Sequence, residues 1–266
     1  MVWGTADYSG GRVSRHVNAT SVTVVSQLLS LPVLAVCVLA LPGHPYGVDL
    51  LWGAGAGAAG VIGVILLYAS LASGAMAVAA PTSAVTGAAV PIAVGLAVGE
   101  QPSPLALAGV GCAVVAIALV SMSSSGGGGP VTGRVLGMAL GSGALFGVFF
   151  VLLAQTHDDS GMWPLVGARL TSVVLGLTLV LGRSLPLRVP RRLFGWVLVS
   201  GAGDIGANAL YLLATREGLL SVVAPVSALY PVATVLLAFG LDRERIRPVQ
   251  VVGLGLAAVS LVLTAV

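Results

Sequence analysis

The chain has 266 residues, of which 57% are apolar, 8% are charged and 37 are glycine. Soluble domains carry roughly a quarter charged residues, so composition excludes a soluble globular fold, while disorder is excluded because it needs low hydrophobicity and high charge. The net charge of +3 comes from twelve basic residues, all arginine, and a mean hydropathy of +1.06 leaves a polytopic membrane protein, helical because its long apolar runs do not alternate in the barrel manner.

A helix needs about 20 apolar residues to cross some 30 Å of hydrocarbon. Taken in chain order, Met1 to about Val13 is apolar enough for a helix but too short to span, and reads as an incomplete first helix. The stretch Met1 to Gly11 lacks a basic leader and an apolar core of signal-peptide length, so no signal peptide is expected. Nine segments are long enough to span: 19–41, 49–72, 75–99, 103–122, 133–155, 162–182, 192–214, 218–240 and 247–265. Between the fifth and sixth helices, Ser123-Ser-Ser-Gly-Gly-Gly-Gly-Pro130 is a low-complexity linker. It divides the chain into a first five-helix unit (1–122), a linker (123–132) and a second five-helix unit (133–266).

The two units repeat. A shift of 144 residues carries Gly74 onto Gly218, Pro81 onto Pro225, Ser83-Ala84 onto Ser227-Ala228, Glu100 onto Glu244, Pro104 onto Pro248 and Gly109 onto Gly253. Trp52 falls on Trp196 at the same shift, and slips of one or two residues align Leu67-Tyr68 with Leu210-Tyr211 and Gln27-Leu28 with Arg169-Leu170. An odd number of helices per repeat makes the second copy enter the membrane inverted, a recurrent transporter design with its substrate site near the midplane between the copies. The fold expected is therefore an all-α polytopic integral membrane protein of two inverted five-helix repeats, with helix 1 incomplete and nine full-length transmembrane helices.

Leu67-Tyr-Ala-Ser-Leu-Ala-Ser-Gly74 leading to Ala80-Pro81 and Gly99-Glu100 resembles the EamA-type domain. Leu210-Tyr-Leu-Leu-Ala-Thr-Arg-Glu-Gly218, with Ala224-Pro225-Val-Ser-Ala-Leu-Tyr-Pro231 and Glu244-Arg245, resembles a second copy of that domain. Over essentially its whole length the chain is similar to the ten-helix branch of the drug/metabolite transporter superfamily. The resemblance implies translocation of a small metabolite or drug by alternating access, a monomer, and a multi-pass location in the plasma membrane; it names no substrate. Absent lysine beside abundant Ala, Gly, Val and Leu points to a GC-rich bacterial genome.

Asp204 stands near the centre of the 192–214 span, where an ionisable residue is costly and is a functional candidate by default. Ser200, Asp204, Asn208 and Tyr211 recur at helical spacing and form one polar stripe. Two readings of it stand side by side: a wall of the translocation cavity, with Asp204 as proton carrier or anchor for a cationic substrate, and an interhelical clamp. Arg169, a third of the way into its span at the repeat position of Gln27, has Asp204 as its best carboxylate partner. It is equally suited to a substrate carboxylate or phosphate, or to snorkelling toward the interface. Pro81, Pro91, Pro225 and Pro231 kink the 75–99 and 218–240 spans and free carbonyls there, which makes those spans the expected cavity walls; kinks needed for packing alone are the other reading. The substrate is expected between the 49–72, 75–99, 192–214 and 218–240 spans, with Tyr68, Tyr211 and Tyr230 lining the same space or filling an aromatic core. Asp7 in the short first helix is expected to be a second intramembrane carboxylate if helix 1 is completed and solvated if it is not, and Glu100 and Glu244 are expected to serve at helix ends.

Other signals carry little chemistry. Gly55-Ala-Gly57-Ala-Ala-Gly60 and Gly201-Ala-Gly203-Asp-Ile-Gly206 match a dinucleotide fingerprint, but they lie inside apolar spans with no strand before them, so they read as helix-packing faces. Cys37 and Cys112 read as small hydrophobes, and His16, His44 and His157 make no ligand spacing, so no metal or cofactor is expected. No arginine stripe with interleaved aromatics supports nucleic-acid binding, no nucleophile set supports an enzyme, and no filter loop supports a channel. The partners expected are the lipid bilayer and a small-molecule substrate, with proton coupling. Secondary transport, in the export direction, is the primary reading; a structural or regulatory membrane protein that has lost transport with half of helix 1 is the alternative. Ten arginines fall on one side of this topology, Arg216 alone on the other, and Arg169 within a helix, so charge bias puts the 183–192 and 242–247 loops in the cytoplasm.

Overall fold

The computed structural model describes residues 2–72, 76–121, 132–230, 232–233, 236–237, 240 and 248–264. Among these the regular structure is entirely helical: α1 (Val2–Ser14), α2 (Ala19–Leu29), α3 (Leu31–Ala40), α4 (Gly47–Ala72), α5 (Met76–Ala97), α6 (Pro104–Ser121), α7 (Gly133–Leu153), a 3₁₀ turn (Asp158–Ser160), α8 (Trp163–Gly182), α9 (Arg191–Glu217), α10 (Leu220–Ser227) and α11 (Pro248–Thr264). Only helices satisfy every backbone group within one apolar segment, which is why this composition folds so. Five described stretches have the length and hydropathy to cross a membrane: Ala19–Ala40, Gly47–Ser70, Gly133–Leu153, Trp163–Gly182 and Arg191–Glu217. The chain is an all-α, multi-pass membrane protein. Gly74, Glu244 and nearly all of the Ser/Gly linker lie outside the described residues; at its far end, Thr132 Oγ1 accepts from the Val135 amide at 3.3 Å and caps α7.

Two expected spans are interrupted. The 19–41 span divides at Ser30 because Pro32, in the first turn of α3, has no amide hydrogen to give to Leu28. The kink stays bonded on both sides: Ser30 N donates to Ser26 O at 3.0 Å and Leu34 N to Ser30 O at 2.9 Å. The 218–240 span is likewise broken after Ser227, with Pro225 inside α10 and tighter bonds beyond, Leu229 N to Val226 O and Val232 N to Leu229 O, and the described residues Tyr230, 232–233, 236–237 and 240 are helical again.

Glycines set the packing. A Cβ at Gly53 would run into the Pro164 carbonyl and one at Gly57 into the Ala168 carbonyl, while Gly167 receives the Leu50 carbonyl in return. Ser172 Oγ ties the same contact by donating to Gly57 O at 2.9 Å. These notches press α4 against α8, and Gly201 takes the Ser26 carbonyl of α2 against α9. Small residues allow such backbone approach between membrane helices. The two fingerprint-like segments thus supply packing surfaces. On the other side of the bundle, α5 lies against α7, with Gly143 at the Ser83 carbonyl and Gly147 at Val90; Ser83 Oγ donates to Ser142 Oγ at 3.1 Å.

At one end of the bundle the 41–49 and 154–163 segments are joined. Tyr46 OH donates to Asp159 Oδ2 at 2.7 Å, Trp163 Nε1 to Gly43 O at 3.1 Å, and His44 N to Asp159 O at 2.9 Å. His157 puts Nδ1 at 2.9 Å from Oδ1 of the fully buried Asp49 and gives its amide hydrogen to the other oxygen at 3.2 Å. Arg216 donates to Gly161 O, at a backbone position with φ 57° that suits glycine.

Candidate functional site

A central cavity of about 700 Å³ of space not filled by atoms, part of it open, lies among α1, α2, α4, α7, α8 and α9. Its polar lining is Asp7, Gln27, Arg169, Ser172, Asp204 and Asn208; its apolar lining includes Trp3, Phe146, Phe149, Phe150 and Ile205, with Tyr230 beyond α10. In α9, Asp204 and Asn208 stand one turn apart, so both reach the same space. Arg169 of α8 donates from Nη2 to Asp204 Oδ2 at 2.7 Å, and Asn208 Nδ2 lies 3.5 Å from the same oxygen. The Asn208 carbonyl oxygen accepts from Trp3 Nε1 at 3.0 Å, which fixes which way the amide points. Arg169 is buried, whereas the Asp204 side chain keeps 32% of its surface exposed. The ion pair therefore has a closed arginine side and an accessible carboxylate side.

Aromatic rings form one wall. Trp3 packs at 5.4 Å from the Phe150 ring and 5.8 Å from Tyr211, and Phe150 at 4.7 Å from Tyr211. Tyr211 turns its hydroxyl away from the space to donate to Phe150 O at 3.0 Å, so it supports the wall from behind. Tyr68 and Ser200 are buried and hydrogen-bonded to each other, with Gly10 of α1 packed on the Tyr68 hydroxyl.

Of the residues singled out in the sequence, Gln27, Arg169, Asp204 and Asn208 come together on the cavity, as does Tyr230, while Tyr68, Ser200 and Tyr211 lie behind its surface. The described prolines match a packing role, the other reading of these kinks. Pro91 of α5 and Pro225 of α10 are buried and do not line this cavity, α5 being held against α7 by the Gly143 and Gly147 contacts. Pro231 and the side chain of Pro81 lie outside the described residues. Among the described residues the walls come from α1, α2, α7 and α8 in addition to α4 and α9. Of the two readings of Asp7 the structure matches the intramembrane carboxylate: α1 packs along α9, with Ala6 against Gly203, and Asp7 lines the cavity. Trp3 and the Phe146/Phe149/Phe150 cluster were not singled out in the sequence, although Phe146 and Phe149–Phe150 recur at helical spacing on α7. Glu100 closes the end of α5, its amide donating to Gly95 O at 3.0 Å, while its carboxylate accepts the Leu220 and Ser221 amides at the start of α10.

The profile of the EamA-like transporter family matches residues 134–266. The chain belongs to that family. A solved structure titled "Crystal structure of protein" is similar with a TM-score of 0.76 at 18% identity, covering 99% of this chain and 96% of that one, a likeness of fold alone. A comparison with curated proteins returned no match. EamA-like membership makes this a membrane protein of the drug/metabolite transporter kind, and the family match rests on the half of the chain that carries Arg169, Asp204 and Asn208.

Proposed function

We propose that this EamA-like protein is a secondary transporter that exports a small metabolite or drug across the plasma membrane by alternating access, as a monomer coupled to protons. One observation carries the reading: a charged constellation, Arg169–Asp204–Asn208, faces a cavity between helices of both halves of the chain. An intramembrane carboxylate with an accessible face is expensive to keep and marks a substrate or ion path. We take the halves to be inverted repeats bounded at 1–122 and 133–266; the repeated Gly, Pro and Glu positions support this. Such a design turns a midplane site toward each side of the membrane in alternation.

A second reading has the Arg169–Asp204 pair as a clamp in a protein without transport activity, and the 2.7 Å contact favours it. The two part company in proteoliposomes. Asp204→Asn keeps size and hydrogen bonding while removing the charge, so a transport role predicts lost flux, or lost pH dependence of flux, in protein that is still folded. Wild-type flux at every pH would reject it.

A further inference from the structure

Hydrogen-bonding groups around the cavity are unevenly matched. Asp204 Oδ2 accepts from both Arg169 and Asn208, and neither bond uses Oδ1. Gln27 is 7% exposed and lines the cavity, yet its Oε1 is buried without a hydrogen-bond partner. Asp7 adds a second carboxylate, within electrostatic reach of Asp204. On the donor side, the Asn208 amide is oriented by Trp3 and the Arg169 head is engaged with Asp204, which leaves its buried Nε–H spare. Two carboxyl groups therefore share one guanidinium, and the Gln27 carbonyl and one Asp204 oxygen have no donor. A buried carbonyl without a partner and a carboxylate without a cation are both costly.

We propose that the cavity selects a small organic cation bearing N–H donors on its charged nitrogen and an apolar body about the size of one aromatic ring: a primary or secondary ammonium, or an amidinium. This rests on the reading of the cavity as the substrate site. The N–H groups meet Gln27 Oε1, the open oxygen of Asp204 and Asp7. The body lies against Trp3, Phe146, Phe149 and Phe150, whose ring faces also attract a cation. Arg169 does not hold a substrate anion, because Asp204 already neutralises it. A quaternary ammonium matches in charge and size but offers no N–H, and so leaves the acceptors unmet.

The test is titration calorimetry on the purified full chain in detergent with five probes of one shape: phenethylamine, its trimethylammonium analogue, 2-phenylethanol, 3-phenylpropionate and phenylalanine. Phenethylamine is expected to bind about tenfold or more tighter than the trimethylammonium analogue, the scale of a lost charge-assisted hydrogen bond, and tighter than the other three. Gln27→Leu is expected to narrow the gap between the two cations, since it removes an acceptor that only one of them can use. The wild-type series decides the matter by itself should that variant not fold. Equal affinity for the two cations, or tightest binding of the carboxylate or the zwitterion, overturns the inference and leaves the cavity as a binding site. Absence of binding by all five overturns it together with the site reading.

Discussion

Glu100 reaches from the end of α5 to the start of α10, where its two carboxylate oxygens accept the amide hydrogens of Leu220 at 2.9 Å and Ser221 at 2.8 Å. The first amides of a helix have no partner within it, and a carboxylate there also meets the positive end of the helix dipole. Glu100→Ala is expected to cost about 1 kcal/mol, seen as a lower melting temperature in detergent. Hydrogen exchange at the Leu220 and Ser221 amides is expected to speed up while exchange within α8 does not. Unchanged exchange at those two amides would remove the capping role.

Arg169 and Asp204 give a second prediction, about stability rather than flux. Removing one partner of a fully buried pair costs about 3–5 kcal/mol because it strands the other charge. Here the cost is expected to be smaller and unequal. Asp204→Asn frees an arginine that is 4% exposed, whereas Arg169→Gln frees a carboxylate that keeps 32% of its surface exposed. The double variant is expected to melt above Asp204→Asn alone, and additive melting shifts would contradict the pairing.

The helices were legible in the sequence because a span needs only a long apolar run. The polar members of the cavity were legible for a related reason: charge at mid-span, as at Asp204 and Arg169, has few bland explanations. What stayed open depends on which helix lies beside which. Asp7 lines the cavity because α1 packs on Gly203, and Pro91 stays off its lining because Gly143 and Gly147 hold α5 against α7. The Asp49–His157 contact joins residues more than a hundred positions apart, and no spacing rule could have paired them. The break at Ser30, ahead of Pro32, lies outside the kinks that the sequence suggests.

Gly57 yields a third prediction. Since any Cβ there meets the Ala168 carbonyl, Gly57→Val forces α4 and α8 apart and is expected to destabilise by about 1–3 kcal/mol. Gly137→Val, where a Cβ has open space around it, serves as the control and is expected to leave the melting temperature nearly unchanged. Equal melting of the two variants would argue against the notch.

A fourth prediction concerns pH at the joined end, outside the spans. The Tyr46 hydroxyl, donating to Asp159, holds that carboxyl below its ordinary value, and the same bond raises the tyrosine. A lowered carboxyl favours the folded state when ionised, so its contribution is present above about pH 4 and fades as the pH falls through the lower folded value. For the raised tyrosine the sense is opposite: the contribution is present below about pH 10 and fades as the pH rises further. Tyr46→Phe is expected to move the Asp159 midpoint upward, followed by carbon NMR of labelled aspartate. A midpoint that does not move would mean that the hydroxyl is not the cause.

The glycine notches between α4 and α8 restrict how the bundle can rearrange. Gly53 and Gly57 are one helical turn apart and receive carbonyls that are themselves one turn apart, so the two helices engage like teeth. Sliding by a fraction of a turn would drive a Cβ into a carbonyl, and the next allowed register is a jump of about 5 Å. The pair is thus geared into one rigid lever, and Arg169, the residue after Ala168, rides on it. Asp204 rides on α9, which is geared instead to α2 through Gly201. The separation of the two charges would consequently report any displacement of one helix pair against the other.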